Sequence, residues 1–104
     1  MAHRSASKLT FTPQWADLSD DEQTAETAKA LEIVAEFGGT IRAQYVLVTD
    51  AALLSVIEYP DETSAITSAL AIARRGAFAL ESQTALSLDD LASLQDDIRA
   101  AAGV

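Results

Sequence analysis

The stretch that most limits what this chain can fold into is Ala51-Ala52-Leu53-Leu54-Ser55-Val56-Ile57-Glu58-Tyr59-Pro60-Asp61-Glu62-Thr63, an apolar run that passes straight into a helical pattern. Bounded by Thr49-Asp50 and by Pro60, the run reads as a buried strand, and Pro60 stops it because it has no amide hydrogen for a ladder. Asp61 then caps the next helix, its carboxylate accepting the free amide hydrogens of the first turn.

The same alternation of strand and helix signals extends along the chain. Residues 2–11 read as a strand ending in Leu9-Thr10-Phe11, although His3, Arg4, Ser5, Ser7 and Lys8 make its first half polar for a core element. Thr12-Pro13-Gln14-Trp15 reads as a turn. Ser19-Asp20-Asp21-Glu22 is a capping box, with acids in the positive first turn, and opens a helix. That helix presents Ala28, Leu31, Val34 and Ala35 on one face and ends at Gly38-Gly39. Thr40 to Val48 is β-branched and aromatic, hence a strand. A helix over residues 62–75 presents Ala65, Ile66, Ala69, Leu70 and Ala73 inward, carries Arg74 and Arg75 at its negative end, and stops at Gly76. Residues 77–85 form a last strand, and Ser87-Leu88-Asp89-Asp90 starts a terminal helix with Leu88, Leu91, Leu94 and Ile98 at helical spacing.

The order is β-α-β-β-α-β plus a C-terminal helix, which predicts a ferredoxin-like α+β fold: an antiparallel sheet with helices on one face. One layer of helices leaves the other sheet face bare. The cheapest cover is the same face of a second copy, so a homodimer is expected, with two sheets facing each other as a dimeric α+β barrel. Val46, Val48, Leu54 and Val56 are the residues expected on that bare face.

At 104 residues the chain is read as one domain, residues 1–104, which buries roughly two-thirds of its unfolded surface. The formal charge of −9, from seven Lys and Arg against sixteen acids, argues against nucleic acid and against anionic membrane surfaces. The absence of cysteine removes disulfides and thiolate metal sites and fits a cytoplasmic protein. No apolar stretch is long enough to span a bilayer, and residues 1–5 are not followed by a signal-peptide core.

A strand ending in Glu58-Tyr59-Pro60-Asp61, an Ala-rich helix, Arg75-Gly76-Ala77-Phe78 and a strand ending near Leu86-Ser87 together resemble the GYD-domain proteins, a family of small bacterial proteins. The Phe11-Thr12-Pro13 turn and the Gly38-Gly39 helix end resemble the same family. The resemblance implies a dimeric α+β barrel and no well-established general activity. One departure stands out: the Gly-x-Tyr-Asp signature would fall around Thr49-Asp50-Ala51-Ala52, where its Gly, Tyr and final Asp are absent, so no role of those residues transfers.

The chemical inventory is thin. His3 is the only histidine, and so the only side chain whose unperturbed titration lies near neutrality. It has no companions at metal-ligand spacing, and Ser5 and Ser7 beside it do not make a triad by nearness in sequence. Period-two alternation separates the strand faces. It places Ile41, Ala43, Tyr45 and Leu47 on one side and Arg42, Gln44, Val46 and Val48 on the other, and sets Phe78, Leu80 and Ser82 opposite Ala79, Glu81 and Gln83. Arg42, Gln44, Glu81 and Gln83 would then form a polar patch on the helix-free face, either a ligand site or a solvated or dimer-facing surface, with Tyr45 in the core. Trp15 closes the end of the barrel or packs against a partner. Asp50 and Glu58 lie too far apart along a strand for paired-carboxylate chemistry. The acidic runs lack the spacing of a calcium loop, and there is no Gly-rich phosphate loop.

Two function classes follow. One is a dimeric barrel that binds a small organic molecule without a cofactor, oriented by His3, Trp15, Arg42, Gln44 and Glu81; a cofactor-free enzyme of isomerase or monooxygenase type is a variant of it. The other is a noncatalytic dimerisation or accessory module whose sheet face is consumed by a partner.

Overall fold

The structure, a computed structural model, describes residues 2–103. Its elements are β1 (His3–Phe11), α1 (Pro13–Ala16), α2 (Asp20–Glu36), β2 (Thr40–Leu47), β3 (Ala52–Tyr59), α3 (Glu62–Arg74), β4 (Phe78–Thr84) and α4 (Leu88–Ala102). The four strands form one antiparallel sheet in the order β2-β3-β1-β4, so the architecture is α+β. The expected turn at Thr12 to Trp15 is a single helical turn, α1, because the Thr12 hydroxyl caps it and Pro13 supplies a preset φ at its first position.

Local chemistry sets the helix ends. Ser19 and Glu22 form the reciprocal capping box of α2, and Asp61 accepts from the Ser64 amide at 2.7 Å to start α3. That bond holds the Asp61 carboxyl below its ordinary 3.8. At the end of α2, Gly38 adopts φ +76°, and Gly39 lies so close to Val34 and the Tyr59 ring that a Cβ there would meet them at 2.6 and 2.7 Å.

Helices α2 and α3 both pack on one face of the sheet, joined by the Arg75 guanidinium, which donates to both Glu26 carboxylate oxygens at 3.0 and 2.7 Å. Ile33 and Val34 of α2 and Ala65, Ser68 and Ile72 of α3 meet Leu9, Ile57, Tyr59 and Phe78 of the sheet. Burying each large aliphatic or aromatic side chain contributes about 1.5–3 kcal/mol. The inward stripes are rotated from those expected. Ala28 and Ala35 of α2 and Ile66, Leu70 and Ala73 of α3 face outward, while Ala30, Ile33 and Phe37 face in. Alanine and threonine are too evenly spread around these helices for apolar spacing to locate the buried side.

The alternation of β2 is also corrected. A bulge between Ile41 and Ala43 places the extra residue, Arg42, outside the ladder, and the strand resumes one position out of phase. Ala43, Tyr45 and Leu47 lie opposite Val56, Leu54 and Ala52, while Gln44 and Val46 lie opposite Ser55 and Leu53 on the helical side. Direct cross-strand partners share a face. Gln44 and Val46 are therefore not on the helix-free face, Val48 lies beyond the strand, and Tyr45 is not in the core but 59% exposed. Leu54 and Val56 are on the helix-free face as expected.

Candidate functional site

Under the helices, the sheet face carries serines where apolar residues would ordinarily sit. Ser5 and Ser7 of β1 and Ser55 of β3 are each no more than 5% exposed, and Ser82 of β4 lies directly opposite Ser7. Ser7 and Ser82 share a hydroxyl–hydroxyl hydrogen bond of 2.8 Å, the Gln44 amide donates to the Ser55 hydroxyl at 3.2 Å, and the Tyr59 hydroxyl donates to Ser68 at 2.9 Å. Burial pushes the Tyr59 phenol above its ordinary 10.0, against the opposing pull of Ser68. Among the described residues, no buried side-chain nitrogen or oxygen is left without a partner.

Serine is small, and the face is consequently underfilled. A narrow cleft of about 50 Å³ lies between α2, α3 and the sheet, floored by Ser7, Ser55 and Gln44 and walled by Leu31 and Ile72. Beside it, a groove of about 290 Å³ runs between α3 and strands β1 and β4. Its floor is Ser5 and Ser82, its α3 wall is Ala65, Ile66, Ala69 and Leu70, and His3 and Glu62 stand at its rim. Ala69 lines both spaces, and the Ser7–Ser82 pair separates their floors. A space of the larger size approaches that of small-molecule sites, about 300–1,000 Å³. Ser5 and Ser82 bring hydroxyl groups, each both donor and acceptor, to the groove floor.

The five residues expected to orient a ligand are not gathered in one place. His3 lies at the start of β1 opposite Tyr59 and borders the groove. Gln44 floors the narrow cleft. Trp15 stacks on Phe11, with ring centroids 4.8 Å apart, and leans on Phe78 at 5.1 Å, closing the core at the β1–β4 end. Arg42 and Glu81 are on the helix-free face but on its two edge strands, three strand spacings or about 14 Å apart. Arg42 pairs with Glu58 at 3.3 Å, which also meets Arg4 at 3.6 Å. Glu81 lies opposite Lys8, whose ammonium bonds Asp50 at 2.9 Å and is held above its ordinary 10.5 by that bond.

The helix-side serines and Glu62 are what reading the sequence missed. The signal was present: Ser5, Ser7 and Leu9 alternate at period two, and Ser55 interrupts an apolar run. No group of three or more His, Cys, Asp or Glu residues is placed to hold a metal ion among the described residues. No helix among them is long and apolar enough to cross a membrane.

The GYD domain family model matches residues 7–94, from the Ser7 position on the groove side of β1 to Leu94 in α4. No curated protein matches the chain. The match takes in β2, β3, β4, α2, α3 and β1 from Ser7 onward, and so Ser7, Ser55 and Ser82 of the serine-lined face; on that extent, the chain belongs to the GYD-domain family.

Proposed function

We propose that this protein binds a small, uncharged, polar organic molecule in the groove between α3 and strands β1 and β4. The observation that carries the reading is the serine-bearing inner face: Ser5 and Ser82 floor an open groove walled by apolar side chains of α3. The apolar wall from Ile66 and Leu70 would hold the carbon skeleton, and Ser5 and Ser82 would exchange hydrogen bonds with a hydroxyl, carbonyl or amide. His3 and Glu62 at the rim are the ionisable groups nearest the bound molecule. Cofactor-free isomerase or monooxygenase chemistry would require His3 within hydrogen-bond reach of a reacting atom. Binding alone asks for less.

The homodimer belongs to the same proposal. The sheet order β2-β3-β1-β4 supports the ferredoxin-like arrangement, and the helix-free face, with Ala6, Leu54, Val56 and Tyr45 at its centre, would be covered by that face of a second copy to close the barrel. The accessory-module reading rests on this apolar face and survives if the groove stays empty.

The test is a panel of small neutral diols, amides and ketones, screened by amide chemical-shift changes. Shifts clustered on His3, Ser5, Ala65, Ser82 and Thr84, and abolished by Ser5→Val, support the site. Shifts confined to the helix-free face, or none across the panel, overturn it.

A further inference from the structure

The two spaces under the helices meet at one small residue. Ala69 of α3 lines both the groove of about 290 Å³ and the cleft of about 50 Å³, and their floors join at the 2.8 Å Ser7–Ser82 hydrogen bond. From Ser5 on the groove floor to Ser7 on the cleft floor is one step along the inner face of β1, about 7 Å. At position 69, the α3 residue common to both spaces, the side chain is a single methyl group.

The two spaces differ in chemistry. The groove has His3 and Glu62 at its rim and hydroxyls on its floor, whereas no charged side chain lines the cleft. The polar groups that do line the cleft already have partners: Ser7 bonds Ser82, Ser55 accepts from Gln44, Tyr59 donates to Ser68, and Thr27 donates to the Gln23 carbonyl at 3.0 Å. A polar guest would have to displace one of these bonds. An apolar guest leaves them intact and meets Leu31, Leu53, Ile72 and Leu80. Protein interiors are close-packed, so an unfilled apolar space continuous with an open groove is a place for a guest's carbon atoms.

We propose that the cleft is the inner half of the same ligand site, that it takes a short unbranched alkyl tail, and that Ala69 is the residue that admits the tail. The inference rests on the groove reading and deepens it by naming the ligand class: an amphiphile whose neutral polar head lies over Ser5 and Ser82 and whose tail passes beneath Ala69 into the cleft. Shape sets the tail. The lining of the cleft crosses the sheet from Leu80 of β4 to Ile41 of β2, so about 50 Å³ spread over that span is one carbon chain wide. At about 10–15 Å³ for each water-sized group, it holds about four methylene groups.

The test is a methyl chemical-shift titration of the full-length protein with straight-chain diols, from propane-1,2-diol to octane-1,2-diol. The Kd should fall roughly fourfold for each methylene that enters the cleft, then level off once the cleft is full. The methyls of Leu31, Leu53 and Ile72 should shift only with the longer members. Ala69→Leu puts a branched side chain at the junction and should abolish the gain with chain length. Leu31→Phe, which narrows the cleft from its half-exposed wall, should do the same and keeps the test open if Ala69→Leu does not fold. Three results overturn the tail subsite and leave the groove reading standing: short diols that bind at Ser5 and Ser82 with no gain from length, a gain that survives in the folded variants, or 4,4-dimethylpentane-1,2-diol binding as tightly as its straight isomer heptane-1,2-diol. No binding at any length overturns both.

Discussion

The two faces of the sheet differ in what interrupts them: serines among the core residues under the helices, aliphatic side chains among the charged ones on the other side. The face under α2 and α3 is punctuated by Ser5, Ser7, Ser55 and Ser82, whereas the uncovered face presents Ala6, Ala43, Leu54, Val56 and Tyr45 between its charged ends. The covered face tolerates Ser7, Ser55 and Ser82 because Ser7 and Ser82 bond each other and Ser55 accepts from Gln44, so their desolvation is offset. Nothing within the single chain offsets the bare face, and a contiguous apolar patch on a soluble protein marks an interaction surface.

Adjacent residues of β3 break the comparison most sharply. Ser55→Asp would place an unpaired charge at a buried position at a cost of about 3–5 kcal/mol, a large share of a small domain's stability. Its neighbour Val56→Asp projects to the opposite face; it should leave the circular dichroism spectrum intact and move the sedimentation mass from twice 11.0 kDa to 11.0 kDa. If both variants unfold alike, the faces are not distinct.

Tyr59→Phe removes the donor to Ser68, a fully buried hydroxyl, and should cost about 1–2 kcal/mol in urea denaturation. A change no larger than that of an exposed substitution would show that Ser68 finds another partner.

The ion pairs of the two faces should also differ. Glu26 is held below its ordinary 4.5 by the hydrogen bonds from Arg75, so its contribution is present above the unfolded value and is lost as pH falls through the folded one. Glu26→Gln should therefore lower stability at neutral pH by up to about 1 kcal/mol, discounted for partial exposure. The difference from wild type should shrink as pH drops below 4.5. Asp50→Asn, which breaks the exposed Lys8 pair at the edge of the bare face, should leave the denaturation midpoint unmoved.

The smallest expected effect lies in the β2–β3 turn. Ala51 has φ +49°, left-handed backbone that suits glycine, and Ala51→Gly should gain up to about 1 kcal/mol in thermal denaturation without changing the assembly state. This is the stretch where the family's Gly-bearing signature is missing. A destabilised variant would mean that the Ala51 methyl makes contacts that outweigh its backbone strain.

Much of the fold was legible because it is encoded in local rules. Ser19-x-x-Glu22, Asp61 and Gly76 act where capping chemistry places them, and Pro60 ends β3. The site was less legible for two physical reasons. A bulge leaves no mark in a strand such as β2, whose residues alternate plausibly in either phase, so Gln44, Val46 and Tyr45 were placed on the wrong faces. Serine reads as polar in a sequence but acts in a core as a small residue that carries its own hydrogen-bond partner, so β1 looked too polar to be buried. Leu91, Leu94 and Ile98 illustrate a third limit: periodicity shows that a helix has an apolar side, not which chain that side meets.

The account turns on whether the aliphatic face is covered, and methyl relaxation by a soluble paramagnetic probe measures that directly. The methyls of Leu54 and Val56, half-buried in the single chain, should be as well shielded as those of Ile57 beneath the helices, and should become more accessible in Val56→Asp at the remaining Leu54. Strong relaxation of Leu54 and Val56 in the wild-type protein, with Ile57 protected, would contradict the account.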